Sequence, residues 1–95
     1  MKEGIIFMVG NSENTDMIKV DLVNHPPHYQ TKSGLEAIDV IDAFTEELVG
    51  REATYTSNAL KYMLRWYKKD GVRDLKKARF YLDRLIQYLE SRESE

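Results

Sequence analysis

Residues 53–92, "ATYTSNALKYMLRWYKKDGVRDLKKARFYLDRLIQYLESR", decide the fold. Apolar residues recur there every three or four positions, the period of a helix that buries one face. The pattern breaks once, at Asp70-Gly71, where glycine readily takes the left-handed conformation that ends a helix. The stretch therefore predicts two helices, 53–69 and 74–92, joined by a turn so short that they must lie antiparallel. On the first helix Ala59, Leu60, Met63, Leu64 and Tyr67 share one side. Asn58, Lys61, Tyr62, Arg65 and Lys69 share the other, with Lys68 at its margin and Trp66 at the boundary. On the second helix Leu75, Ala78, Leu82, Leu85 and Leu89 alternate by three and four, as in a coiled-coil seam that Ile86 widens. Phe80 falls outside that seam, beside Arg73, Lys77 and Arg84, and is a candidate subunit contact or stacking surface.

Upstream, residues 24–29 read "NHPPHY". Each proline restricts its own φ and disfavours helix at the residue before it, so an extended segment is expected. Ser33 and Glu36 then have capping-box spacing, predicting a first helix over 35–48 that stops at Gly50. Within residues 1–23, "GIIFMV" and "IKVDLV" suit short strands, and "GNSENTD" between them suits a turn or disorder. The expected fold is all-α: a small three-helix domain over 24–92, made of a helical hairpin plus one crossing helix. An extended Pro-containing segment leads into it, preceded by an extension over 1–23 that is partly disordered or a strand.

With 95 residues and no cysteine, the chain is expected to be one small domain with no disulfide staple and a thin core. Self-association is the remaining route to burial, so a homo-oligomer is expected. No apolar run approaches the roughly 20 residues of a membrane span, and "GIIFMVG" lacks a convincing signal cleavage site. The expectation is a soluble cytoplasmic protein that uses no membrane.

The net charge of −2 conceals a strong asymmetry. Residues 1–50 carry three Lys/Arg against nine Asp/Glu, whereas residues 51–84 carry ten against four. Either an anionic ligand meets the basic segment or subunits neutralise one another. Nucleic acid is a poor candidate, because the basic segment is short and the whole chain is acidic.

Three constellations bear on chemistry. His25 and His28 flank two prolines, and in a polyproline helix their imidazoles point the same way. Without cysteine or a third histidine, a metal site there needs carboxylates; a rigid strut and a pocket wall are the other readings, and no metal is assigned. The helix stripe Asn58, Lys61, Tyr62, Arg65, Trp66 combines an amide, cations and aromatics. Lys61 and Arg65 are spaced to grip a phosphate, and Tyr62 and Trp66 to stack on a base; the plainer reading is a solvated face. Asp39, Asp42 and Glu46 are spaced to hold Mg²⁺, or simply form a solvated face. No phosphate loop, Gly-rich dinucleotide fingerprint or cysteine nucleophile is present.

Together "NHPPHY", "GLEAIDVI" and "NALKYMLRW" followed by "DGVRDLKKARFYLDRLI" resemble the small phage-encoded family termed domain of unknown function 3310, over roughly residues 24–88. Its members are often labelled nucleotide kinases. The resemblance implies a phage or prophage origin and a nucleotide ligand, with His25, Pro26, His28, Tyr29, Asp39, Asn58, Lys61, Tyr62, Arg65 and Trp66 at motif positions and Lys68 and Lys69 following. Two functions are then expected. In the first, the protein sequesters a nucleotide-derived immune messenger in pockets between subunits, with His25, His28, Tyr29, Asn58, Lys61, Tyr62, Arg65, Trp66 and Lys69 as ligand contacts and no cofactor. In the second, it is a nucleoside-monophosphate kinase in which Asp39 and Asp42 hold Mg²⁺. A structural or host-protein-binding oligomer without ligand is the third alternative.

Overall fold

A computed structural model of the chain describes residues 6–9 and 18–93, with side chains from Leu22 onward. Strands β1 (Ile6–Val9) and β2 (Ile18–Asp21) pair antiparallel, Ile6 opposite Asp21. The turn or disorder expected over residues 10–16 lies outside the described residues. The rest is helical: α1 (Ala37–Thr45), α2 (Gly50–Arg65) and α3 (Val72–Glu93), with single 3-10 turns at Pro27–Tyr29 and Trp66–Lys68. The three-helix, all-α domain expected from the sequence is the one observed.

Its boundaries differ in instructive ways. The capping box is not Ser33 with Glu36 but sits three residues on. The Glu36 amide donates to Asp39 Oδ2 at 2.9 Å, so Glu36 is the N-cap of α1. Ser33 belongs instead to a turn over 31–34, where the Gly34 amide donates to the Thr31 carbonyl and Gly34 takes a φ of 92°. Helix α1 is shorter than expected and ends at Thr45, whose hydroxyl turns back to the Ile41 carbonyl. Gly50 does not stop α1; at a φ of 61°, after extended Val49, it opens α2.

The hairpin forms as the sequence predicts. α2 tightens into the Trp66–Lys68 3-10 turn, and the Gly71 amide donates to the Trp66 carbonyl at 2.8 Å with Gly71 at a φ of 56°. The amide thus reaches back five residues, and the glycine itself takes the left-handed conformation that lets the chain leave one helix and enter the next. Along the hairpin, Tyr62 of α2 and Tyr81 of α3 stack nearly parallel, centroids 6.0 Å apart. α1 does not cross the hairpin evenly; it lies chiefly against α2.

The core is sparse. Among the described residues only Ala37 and Ala78 are buried apolar residues, and the one fully buried side chain of any size is Asp74. Phe44, Phe80, Leu82 and Ile86 all remain exposed. A chain this short buries a smaller share of its apolar surface than a larger domain does.

Candidate functional site

The proline segment meets the hairpin at its elbow. Pro26 is extended, but Pro27 does not continue a polyproline helix as expected. It occupies the first position of a 3-10 turn, in which the Tyr29 amide donates to Pro26 and the Gln30 amide to Pro27. A proline at that position loses nothing, because its missing N–H would have no partner there. The turn separates the two histidines by function. His25 Nδ1 lies 2.9 Å from the Glu36 carboxylate, whereas the His28 ring packs on Tyr29 at 4.3 Å between centroids. No group of three His, Asp or Glu side chains converges to hold a metal among the described residues.

Glu36 anchors the segment. One carboxylate oxygen takes His25 and the other takes the Gln30 amide at 2.9 Å, so residues 25 and 30 are tied to the start of α1. Lys68, at the elbow, donates to the Gln30 carbonyl. The segment is thus held from both sides.

At the centre is Arg65. Nε and Nη2 each donate to a different oxygen of Asp74 at 3.1 Å, and Nη1 donates to the Tyr29 hydroxyl at 2.8 Å. The guanidinium also packs over the rings of Tyr62 and Tyr29, at 4.8 and 5.8 Å. Asp74 accepts a further bond from the Asp70 amide. Burial pushes the Asp74 carboxyl up, but the Arg65 hydrogen bonds, the Asp70 amide and the charges of Arg65 and Lys77 outweigh it and hold the group below its ordinary value. Burial works against the Arg65 charge too, and Asp74 and Tyr29 outweigh it. The His28 imidazole is lowered by burial first, then by Lys69 and Arg65, against a smaller upward pull from Asp74 and Asp70.

The stripe read on α2 therefore divides. Arg65 is spent on a neutralising carboxylate of its own chain. Tyr62 is sandwiched structurally, with Tyr81 stacked on it and Lys61, Arg65 and Lys77 around its ring. Asn58 donates to the Thr54 carbonyl one turn back. Trp66 sits on the 3-10 turn, edge-on to Tyr67 and partly exposed. Lys69 is exposed, with no ion-pair partner among the described residues.

Lys61 is different. Its ammonium rests 4.6 Å from the Tyr62 ring centroid, with no carboxylate at ion-pair distance among the described residues. It lines a cleft of about 290 Å³ whose walls are Tyr29, Pro26, Ala37, Ile38 and Ile41, with Glu36 at the base of the proline segment. A second cleft, about 240 Å³, lies across Tyr29 and Ala37 and is lined by His28, Leu35, Val40, Met63 and Tyr67. Tyr29, Glu36 and Ala37 form the shared wall.

Two residues that organise this region were not singled out from the sequence as site residues. Asp74 reads as an ordinary helix-start acid; its only signal is a position nine residues after Arg65, across a turn that folds back. Glu36 reads as a capping partner of Ser33, and nothing local points to His25.

A chain of this kind, with a proline segment clasped to the elbow of a helical hairpin, defines a small helical domain. A family model described as a protein of unknown function, DUF3310, matches residues 23–83, and the chain belongs to that family. The match takes in the proline segment, α1, α2 and the first half of α3. No curated protein and no solved structure matches the chain.

Proposed function

We propose that the protein binds a nucleotide-like ligand without turning it over, in the cleft between Tyr29 and Lys61, as part of a homo-oligomer. The observation that carries this reading is Lys61: a cation with no carboxylate at ion-pair distance among the described residues, at the edge of a mostly apolar cleft walled by Tyr29, Ile38 and Ile41. Such a site suits a flat ring with an anionic tail. The ring takes the place of water against Ile38, Ile41 and Tyr29, and the tail meets the ammonium as a point charge. Arg65 serves as the brace that holds Tyr29 in the wall, and the rest of the stripe supports the hairpin. His28, behind Tyr29, faces the second cleft. The exposed apolar surface supports self-association. In the phage setting that the family resemblance implies, the use of such a binder is to sequester a nucleotide-derived immune messenger.

The kinase alternative asks for Asp39 and Asp42 to hold Mg²⁺. Asp39 already accepts the Glu36 amide, and among the described residues Asp42 belongs to no group of three acidic or histidine ligands. Binding alone asks less of these residues. The test is native mass spectrometry of the purified protein, then identification of small molecules released on denaturation. Recovery of an intact nucleotide, lost in Lys61→Ala, is the expected result. Absence of any nucleotide, or its conversion in the presence of ATP and Mg²⁺, overturns the proposal.

A further inference from the structure

The apolar seam of α3 divides in the folded chain. Ala78 is buried against α2, and Leu85, seven residues on, follows it on the same side of the helix. Leu82, Ile86 and Leu89 stay 49%, 43% and 38% exposed, and Val72 is 65% exposed. With Leu75 and Arg79 they make a second stripe, at 75, 79, 82, 86 and 89, whose steps of four and three again match a coiled-coil seam. Beside it runs a groove of about 310 Å³, walled by Ala59, Leu60 and Met63 of α2 and by Leu75 and Leu82 of α3.

We propose that this stripe is a self-association surface and that its occupant is α3 of a second copy, antiparallel about a two-fold axis level with residues 80 and 81. Charge decides both orientation and register. In a two-fold antiparallel pair each flank of the seam meets its own copy. The flank away from α2 carries Lys76 and Asp83, opposite in sign and seven residues apart. Centred on 80 and 81, Lys76 faces the partner's Asp83, twice over. Leu75 packs on the partner's Ile86, Val72 on the partner's Leu89, and Leu82 on the stem of the partner's Arg79. Arg79, which has no carboxylate partner among the described residues, then gains the partner's Asp83. Sliding by one heptad sets Asp83 near the partner's Asp83 and Leu75 opposite the partner's Glu93. A parallel pair sets Arg79 on the partner's Arg79. Both alternatives juxtapose like charges or bury a lone one. Because the flanks self-pair, the two α2 helices lie on one side and each groove receives the neighbouring seam. The proposal specifies the self-association invoked above and does not depend on the ligand.

The chain has no cysteine, so introduced thiols report the register cleanly. Leu75→Cys mixed with Ile86→Cys should give a disulfide-linked heterodimer on mild oxidation, and Leu75→Cys alone should give none. By light scattering after gel filtration, Leu82→Glu should lower the native mass at least twofold. Lys76→Glu and Asp83→Lys should each weaken association, and an equimolar mixture should restore it, because the mixed pair regains both ion pairs. Cross-linking by Leu75→Cys alone overturns the proposal. So does an oligomer that survives Leu82→Glu but not Phe80→Glu or Phe44→Glu, although self-association itself then stands. A wild-type chain that is monomeric overturns both.

Discussion

The Arg65 guanidinium donates twice to Asp74, the one fully buried side chain among the described residues, and its own side chain is only 12% exposed. Breaking one side of such a pair strands a charge away from water, at a cost of about 3–5 kcal/mol. Asp74→Ala should therefore lower the urea midpoint steeply. Replacing both partners by apolar residues of similar size, Arg65→Met with Asp74→Leu, should recover most of that loss. Equal losses in the single and double variants would show that the pair does not act as a unit.

The same carboxylate sets an acid limit. Its folded value lies below the unfolded one of about 3.9, so the unfolded chain binds the proton first. Its contribution is complete above that value and disappears as pH falls through the folded value. Urea titrations below about pH 4 should show a loss of stability that Asp74→Asn, already lacking the charge, shows much more weakly.

His28 adds a second slope with the same sign. Its folded value lies below the ordinary 6.5, so protonation favours the unfolded chain. Stability should rise with pH as the unfolded imidazole loses its proton near 6.5, and it should fall away on acidification below that. His28→Gln should flatten this region while leaving the acid limit of Asp74 in place, as read by thermal melts from pH 5 to 8.

Glu36 is the clasp of the proline segment, taking His25 on one oxygen and Gln30 on the other. Because His25 is exposed, most of the gain comes from the half-buried Gln30, about 1 kcal/mol. Glu36→Ala should leave the hairpin intact but speed amide hydrogen exchange over residues 25–30. Unchanged exchange there would mean that Lys68 and Tyr29 hold the segment alone.

The hairpin was legible because helical period and a Gly71 cap are local signals that agree. The three-helix count followed from the same pattern around α1. Boundaries were less legible: Ser33 and Glu36 have the right spacing for a capping box, but Gly34 turns the chain between them and Asp39 competes for the same amide. The α2 stripe reads in the sequence as one open face, but the folded chain packs Tyr62 and Arg65 of it against Tyr81 and Asp74 of α3. A helical wheel places Lys61 and Arg65 together, yet it carries no information about Asp74, which arrives from the next helix. Pairing across a turn decides which cation remains available, and no single-helix pattern encodes that.

Ala37 and Ala78 are the only apolar residues this fold shelters by itself among those described, while leucines and phenylalanines face outward. In the self-associated form proposed above, losing its neighbours and losing its shape are closely linked events for the chain. On that proposal its melting temperature is a function of how much protein is in the tube, rising with each tenfold concentration as dissociation-linked unfolding requires. Wherever copies are few, the same coupling would leave newly made chains open to proteases until enough have accumulated to find one another.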